Sequence, residues 1–365
     1  MDDIITKRDA NELLNGDILT FVDYVKQINQ DRIKEVTYSK NVFLPLTHIC
    51  KNSCGYCNFK QSPEETVNLL MNEDEVRTIL KHANTYKCSE ALFTFGESAD
   101  EISEVEERLE EYSFSSMVEY VHHLSAMALK EYEILPHTNM GIISRDDLKY
   151  LADVNASMGL MIETTNKDLL KTVAHKDSPT KDPAKRIKFI EDAGKENIAF
   201  TTGMLVGIGE NHNDWVDTLF AIKKLHEKYG HIQEIIIQNF KPKANTPMAD
   251  YPEVAITDLM KLTILASMLF DDVSIQIPPN LNAPLISIFT LAGADDFGGI
   301  SPLTSDYINP ELPWPSVTNL ENQLQTIGYN LKERLPVYDR YVNEKYLSPE
   351  VLDTALRIKK RNNII

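Results

Sequence analysis

A parallel α/β barrel, TIM-like and either complete or short by one or two strands, is the fold class this sequence predicts, and three observations point to it. Short runs rich in β-formers alternate with longer segments of helical period, the pattern of successive parallel βα units. The chain has 365 residues, room for one barrel with extensions at both ends. Polar, glycine-containing clusters also recur directly after candidate strands, where barrel enzymes carry their chemistry.

The candidate strands are Val42–Leu46, Ala91–Phe95, Glu133–Leu135, Ser157–Ile162, Ala199–Val206, Glu234–Gln238 and Ser274–Ile277. Helices are expected near 73–86, 114–130, 144–153, 183–194, 213–229 and 256–270. Asn72 with Glu75, and Ser144 with Asp147, each set an acceptor and an acid three residues apart, as at a helix start. Pro183 suits a first helical position. Residues 1–37 read as a helical extension, 38–300 as the barrel core, and 301–365 as a C-terminal loop and helices packing on the barrel. Within the last segment, Pro302, Pro310, Pro313 and Pro315 predict an irregular stretch over 302–316. The acid run Glu104–Glu111 reads as a solvated helix face, and His122-His123 as mid-helix surface residues.

Composition narrows the function classes. Hydrophobic residues make up 42% and the formal charge is −18, so a large core is expected and a nucleic-acid partner is not. No run approaches the roughly 18 apolar residues of a membrane span, and Met1-Asp2-Asp3-Ile4 lacks the basic and apolar parts of a leader. Only four cysteines are present and three are clustered, which argues against a disulfide framework and for a reducing cytoplasm.

The most informative string is Cys50-Lys-Asn-Ser-Cys54-Gly-Tyr-Cys57, following the first strand. Structural zinc and electron-transfer [4Fe–4S] centres both want four protein ligands. Three thiolates on a four-iron cube leave one iron open to a cosubstrate. That is the signature of radical S-adenosylmethionine (SAM) enzymes, in which the amino and carboxylate groups of SAM chelate the free iron. The rival reading is a zinc site completed by Cys88 or a histidine. It asks Cys88, which ends a helix before the second strand, to reach the other face of the barrel.

Further strings fit the same reading. Tyr56 stands where radical SAM enzymes carry an aromatic residue beside the adenine. Phe95-Gly96-Glu97-Ser98 resembles the Gly-Gly-Glu stretch that binds the SAM amino group after the second strand. Gly203-Met204-Leu205-Val206-Gly207-Ile208-Gly209-Glu210 resembles the fifth-strand G-x-I-x-G-x-x-E motif, whose backbone and apolar side chains pack on adenine. It does not fit the G-x-G-x-x-G of a dinucleotide site. Glu163 is placed to accept from ribose hydroxyls, with a solvated loop acid as the alternative. His137 is a candidate to face the substrate, and Asp295-Asp296-Phe297-Gly298-Gly299 suggests a tight loop that orders it, although a plain polar turn explains that string as well.

Phe43-Leu44-Pro45-Leu46-Thr47 and Cys54-Gly55-Tyr56-Cys57-Asn58-Phe59 resemble one family within radical SAM enzymes, the 7,8-didemethyl-8-hydroxy-5-deazariboflavin (FO) synthases, first-subunit type. The resemblance runs from about residue 38 to 316, through Leu135–Asn139, Tyr229–Glu234, Gln238-Asn239-Phe240, Asp295–Pro302, Asn309-Pro310 and Pro313-Trp314-Pro315. His48, Lys51 and Asn58 depart from the family's more usual asparagine, arginine and threonine. What the resemblance implies is a TIM-like barrel of the radical SAM type, a [4Fe–4S] cluster on Cys50, Cys54 and Cys57, and SAM as cofactor. It also implies a low-potential electron donor and a functional partnership with an adduct-forming subunit, which in some lineages is fused to this one. With one cysteine triplet and the length of one barrel, this chain is expected to be the ring-closing half alone. A 5′-deoxyadenosyl radical would abstract hydrogen from a 5-amino-5-(4-hydroxybenzyl)-6-(ribitylimino)-dihydrouracil adduct, which closes its ring with loss of ammonia. Rival readings are the adduct-forming half, a cyclic dehypoxanthine futalosine synthase, a biotin-synthase-like sulfur inserter and, from another class, a non-catalytic iron–sulfur or zinc protein.

Overall fold

Eight parallel strands follow one another around a closed sheet in the computed structural model, which describes residues 5–364. They are β1 (Glu35–Leu44), β2 (Glu90–Thr94), β3 (Leu135–Asn139), β4 (Ser157–Gly159), β5 (Phe200–Val206), β6 (Ile232–Asn239), β7 (Ser274–Gln276) and β8 (Asp296–Ile300). β1 pairs with β8 on one side and with β2 on the other, so the barrel is complete. The strand the sequence hides is β8, Asp-Phe-Gly-Gly-Ile, whose acid and glycines are residues that strands usually avoid. Asp296–Gly299 is therefore not the tight loop expected of it. A Cβ on Gly298 would stand 2.3 Å from Gln276 Nε2, and one on Gly299 2.1 Å from Asn41 Nδ2. The glycine pair thus admits two amide side chains to the barrel interior.

Two other boundaries moved for identifiable reasons. Glu133 takes the left-handed conformation (φ 50°) that caps the preceding helix, so β3 starts at Leu135, and Pro136 inside it disguised the strand. β1 begins at Glu35 because a ninth strand, β9 (Asn330–Arg334), pairs with it from Glu35↔Asn330 to Ser39↔Arg334. β2 takes the upper part of the same edge, from Asn41↔Glu90 to Leu44↔Phe93. The polar string Asn-Leu-Lys-Glu-Arg has no strand signature of its own.

Helices α1 (Lys7–Asn15) and α2 (Val22–Asp31) precede the barrel. α3 (Glu73–Thr85), α4 (Ser103–Glu111), α5 (Met117–Tyr132), α6 (Arg145–Ala152), α7 (Pro183–Lys195), α8 (His212–Tyr229), α9 (Ile256–Leu269) and α10 (Ile286–Leu291) lie along it, with α11 (Val317–Gln325) and α12 (Pro349–Asn362) after. Asn72 and Glu75 cap α3 reciprocally, Ser144 accepts from Asp147 N–H, and Pro183 occupies the first turn of α7. Among the described residues no helix is long and apolar enough to cross a membrane.

Alternation along the strands separates two environments. Val42 and Leu44 of β1 pack outward in the main apolar core with Val76, Leu80 and Phe93. Asn41 and Phe43 point inward. The floor of the barrel is ionic. Arg334, at the end of β9, donates from Nε and Nη2 to Asp296 (2.5 and 2.7 Å) and from Nη2 to Glu234 (2.9 Å). Burial pushes Glu234 and Glu90 above the ordinary carboxylate range, whereas the Arg334 charge outweighs burial at Asp296 and holds it below.

Candidate active site

The cysteine loop closes one side of the barrel mouth, held by backbone bonds and by the side chain of Asn52, which bonds Glu97 and Thr180. Lys51 N–H donates to Glu97 O (2.9 Å), Ser53 N–H to Asp177 O (2.9 Å) and Gly55 N–H to Ala174 O (3.0 Å). Glycines let these segments touch. A Cβ on Gly96 would lie 1.8 Å from Ile49 O and 2.9 Å from Cys50 Cβ, and one on Gly55 would lie 2.2 Å from Val173 O. None of the cysteines is in a disulfide. Cys50 Sγ accepts from Glu97 N–H (3.2 Å) and Cys54 Sγ from Ser178 O–H (3.2 Å). Burial pushes the Cys50 thiol up to about 11 and raises Cys54 as well.

This donor set fits the implied cluster. Three free, partly buried thiols share one loop, two of them already accepting hydrogen bonds, and hydrogen bonds to the sulfurs are among the features that tune a cluster. Among the described residues no three His, Cys, Asp or Glu side chains converge to hold one metal ion; a cube asks instead for one thiolate per iron. Cys88 is buried below β2, with its Sγ against Asn41 O. Seven residues, the five of β2 among them, separate it from Gly96, and the strand alone spans roughly 17 Å.

Beside the loop lies a buried quartet of charges. Glu97 accepts from Asn52 Nδ2 (3.0 Å), Ile142 N–H (3.0 Å) and Arg186 Nη1 (3.2 Å). Glu163, held at φ 65° after β4, pairs with Lys181 Nζ at 2.5 Å. Burial raises both carboxyls. At Glu97 the charges of Arg186 and Lys181 outweigh it, at Glu163 those of Lys181 and Arg186, so both sit below the ordinary range. Sequence reasoning found the two acids but missed Lys181 and Arg186. Their only signal was the Pro179 and Pro183 punctuation that turns this segment back over the mouth.

Tyr56 donates to or accepts from His175 Nε2 (3.1 Å) and packs on Leu169, Leu205, Ile208, Phe240 and Met248. Gly203 presses on Ile236, where a Cβ would stand 2.2 Å from the carbonyl oxygen, and Gly207 takes a φ of +103°. Glu210 accepts from the backbone N–H groups of Gly207 and Ile208 and from Trp215 Nε1, so it braces the turn. Val206 packs in the outer core, leaving its backbone to the strand end. Ser98 adopts the left-handed conformation (φ 52°) immediately beyond Glu97.

Below the mouth is a cavity of about 210 Å³ whose lining includes Asn41, His137, Gln276, Asn280, Asn309 and Trp314. His137 lies within β3 rather than after it, and its side chain faces this cavity. Asp295 and Asp296 do not join it at the mouth. Both sit at the N-terminal edge of β8, paired with Arg32 (2.9 Å) and Arg334. The 302–316 stretch is irregular as expected, but it forms a cavity wall through Asp306, Ile308, Asn309 and Trp314. Asp306 accepts from Asn280 Nδ2 (2.7 Å) and Asn309 Nδ2 (2.9 Å), fixing two of the lining amides. His122 stacks on Tyr150 and His123 bonds Glu73, both remote from the mouth.

A complete parallel barrel with a three-cysteine loop over its mouth defines the class, a radical SAM enzyme, and residues 44–222 match the family described as Radical SAM superfamily. Two solved structures share the fold: the FeFe-hydrogenase maturase HydG from Carboxydothermus hydrogenoformans (TM-score 0.73, 15% identity, 98% of this chain and 82% of that one) and methylornithine synthase PylB (TM-score 0.68, 16% identity, 89% and 94%). Nearer relatives refine the class. The 7,8-didemethyl-8-hydroxy-5-deazariboflavin synthase of Methanococcus aeolicus is 50% identical over 88% of this chain and 89% of its own. That of Methanocaldococcus jannaschii is 48% identical over 97% and 99%. This chain belongs to the 7,8-didemethyl-8-hydroxy-5-deazariboflavin synthase family.

Proposed function

We propose that this deazaflavin-forming radical SAM enzyme carries out the ring-closing step, acting on an adduct made by a partner synthase subunit. One observation carries the reading: the chain has one three-cysteine loop, set after β1 at the strand-end side of the barrel, and the barrel interior holds a cavity lined by inward residues of that same strand, Asn41 and Phe43, so one radical centre serves one small-molecule site. When bound, a [4Fe–4S] cluster and SAM supply the reducing electron and the 5′-deoxyadenosyl radical that takes hydrogen from the substrate.

The chain's own residues do the rest. Cys50, Cys54 and Cys57 hold the cluster and give up their protons to do so. Glu97 faces the SAM ammonium, with Gly96 and Ser98 shaping the approach. Lys181 and Arg186 offer cationic partners to its carboxylate, and Glu163 takes the ribose hydroxyls. Tyr56, with the backbone of Gly203, Val206 and Gly207, borders the apolar cluster that receives adenine. His137, neutral and facing the cavity, accepts a hydrogen bond from substrate. The walls exclude water and nearby reactive groups, which a primary radical requires. A low-potential donor reduces the cluster, and the enzyme works in a reducing cytoplasm.

The test is anaerobic reconstitution with SAM, reductant and the partner-made adduct, following deazaflavin fluorescence, 5′-deoxyadenosine and ammonia together. All three are expected. Deoxyadenosine without deazaflavin would overturn the ring-closing assignment. Alanine at Cys50, Cys54 or Cys57 is expected to abolish cluster assembly, and Cys88→Ala to keep it; loss of the cluster in the Cys88 variant would point to a four-cysteine site.

A further inference from the structure

Two residues that line the substrate cavity each carry a polar atom shielded from solvent and without a hydrogen-bond partner, Asn41 Oδ1 and Trp314 Nε1. Asn41 is only 1% exposed. A buried polar group without a partner is costly, of the same order as a lost hydrogen bond, and native proteins keep few of them. These two are an acceptor and a donor on residues bordering the same space. The fold has made room for one of them. Asn41 projects inward from β1, and the absence of a side chain at Gly299 is what lets its carboxamide lie there, since a Cβ would approach Nδ2 to 2.1 Å. Gln276 enters beside it over Gly298, where a Cβ would come within 2.3 Å of Nε2. Flat apolar surface adjoins these amides, because Phe43 and Trp314 line the same cavity. The space therefore asks for a planar ring with a hydrogen-bond donor and an acceptor on its edge.

Resting on the ring-closing reading above, we propose that Asn41 and Trp314 form the subsite that reads the cyclic ureide, the pyrimidinedione ring of the substrate. Asn41 Oδ1 accepts from a ring N–H, and Trp314 Nε1–H donates to a ring carbonyl. A polyol chain lacks the flat faces that the aromatic walls match. On this assignment the Gly298-Gly299 pair is a specificity feature, sized for the amides that flank it.

Calorimetric binding of the ribityl-diaminouracil to the cluster-loaded enzyme tests this, with ribitol as the comparison probe. Asn41→Leu and Trp314→Phe are each expected to weaken binding of the ribityl-diaminouracil about tenfold, the scale of a buried group left unpaired. Gly299→Ala, which crowds the Asn41 carboxamide without removing it, is expected to act in the same direction. Trp314→Phe keeps an aromatic face but removes one ring of the indole together with the N–H, so an unchanged thermal midpoint and far-ultraviolet circular dichroism spectrum must accompany the loss to separate it from a folding defect. Binding as tight as in the unchanged enzyme in both the Asn41 and Trp314 variants would mean that ordered water serves these atoms, and would overturn the subsite. A loss that ribitol shares equally would assign the groups to the polyol and overturn it too. If instead the unchanged enzyme neither binds the ribityl-diaminouracil nor converts the adduct, the ring-closing reading itself has failed and the subsite falls with it. Conversion of the adduct with insensitive variants would sink the subsite alone.

Discussion

Ser157 has one hydroxyl hydrogen and gives it to Pro336 O (2.8 Å), so at 2.7 Å it must accept from His137 Nδ1. That fixes the tautomer: Nε2 keeps its lone pair and lies over Gly159, where a Cβ would come within 3.0 Å. Burial, helped by the Arg334 charge, pulls the imidazole down to about 3, so at neutral pH it is a hydrogen-bond acceptor with little strength as a base. The consequence for stability has a definite sign. Below the ordinary value of 6.5 the unfolded chain takes up a proton that folded His137 refuses, so this contribution is complete above that pH. It is then lost as pH falls toward 3, by about 1.4 kcal/mol per pH unit. His231, pulled down to about 4 by burial, adds the same slope over a shorter window. His137→Gln is expected to flatten the decline in urea midpoint between pH 6.5 and 4.5; an unchanged slope would show that His137 is not neutral in the native state. At this scale the sequence disclosed cysteines, acids and glycines but not their counter-ions. Lys181 and Arg186 look like any surface cation until the chain folds back, because charge pairing across 18 and 89 residues leaves no local pattern. Trp314 stood in a Pro-Trp-Pro string that hinted at a fixed position without saying what it faced.

Among the elements, the loop after β1 and the turn after β2 are fitted to one another more tightly than side chains would allow. Gly96→Ala would drive a methyl group into Ile49 O and Cys50 Cβ, so it is expected to reduce iron loading after reconstitution severalfold while far-ultraviolet circular dichroism stays that of the barrel. Gly230→Ala provides the contrast. Gly230 caps α8 in the left-handed region with open space around it, so the substitution is expected to cost about 1 kcal/mol of stability and leave iron loading unchanged. Equal iron loading in both variants would remove the steric argument. Seven of the eight barrel strands were visible as β-rich runs because their outward faces must be apolar. β8 was not, since its sequence answers to the cavity it borders rather than to strand propensity. β9 was hidden for another reason: its polar residues pair with β1 on an edge, and only Arg334 at its end turns inward.

Across the whole molecule, the barrel is apolar outside its sheet and mixed within, amides and charges standing among Phe43, Leu92, Ile236 and Trp314, and its floor depends on one guanidinium. Arg334→Met is expected to cost about 3–5 kcal/mol, the scale for breaking a buried pair by removing one partner. Adding Glu234→Gln and Asp296→Asn is expected to recover much of that loss, because no uncompensated buried charge then remains. The loss in the single variant should grow with rising pH as those carboxyls ionise. Guanidinium denaturation at pH 5 and pH 8 would check both, and a loss independent of pH would overturn the electrostatic account. The same arrangement bears on the order in which the chain is made. Glu90, Glu234 and Asp296 leave the ribosome before Arg334, and domains tend to fold as they emerge. All eight barrel strands are therefore available while the acids of the floor still lack their cation. Until β9 arrives, those carboxyls must either be buried protonated or stay hydrated, and where they stay hydrated the nascent barrel is open at its base. The last tenth of the chain is thus the step that commits the rest to its final form.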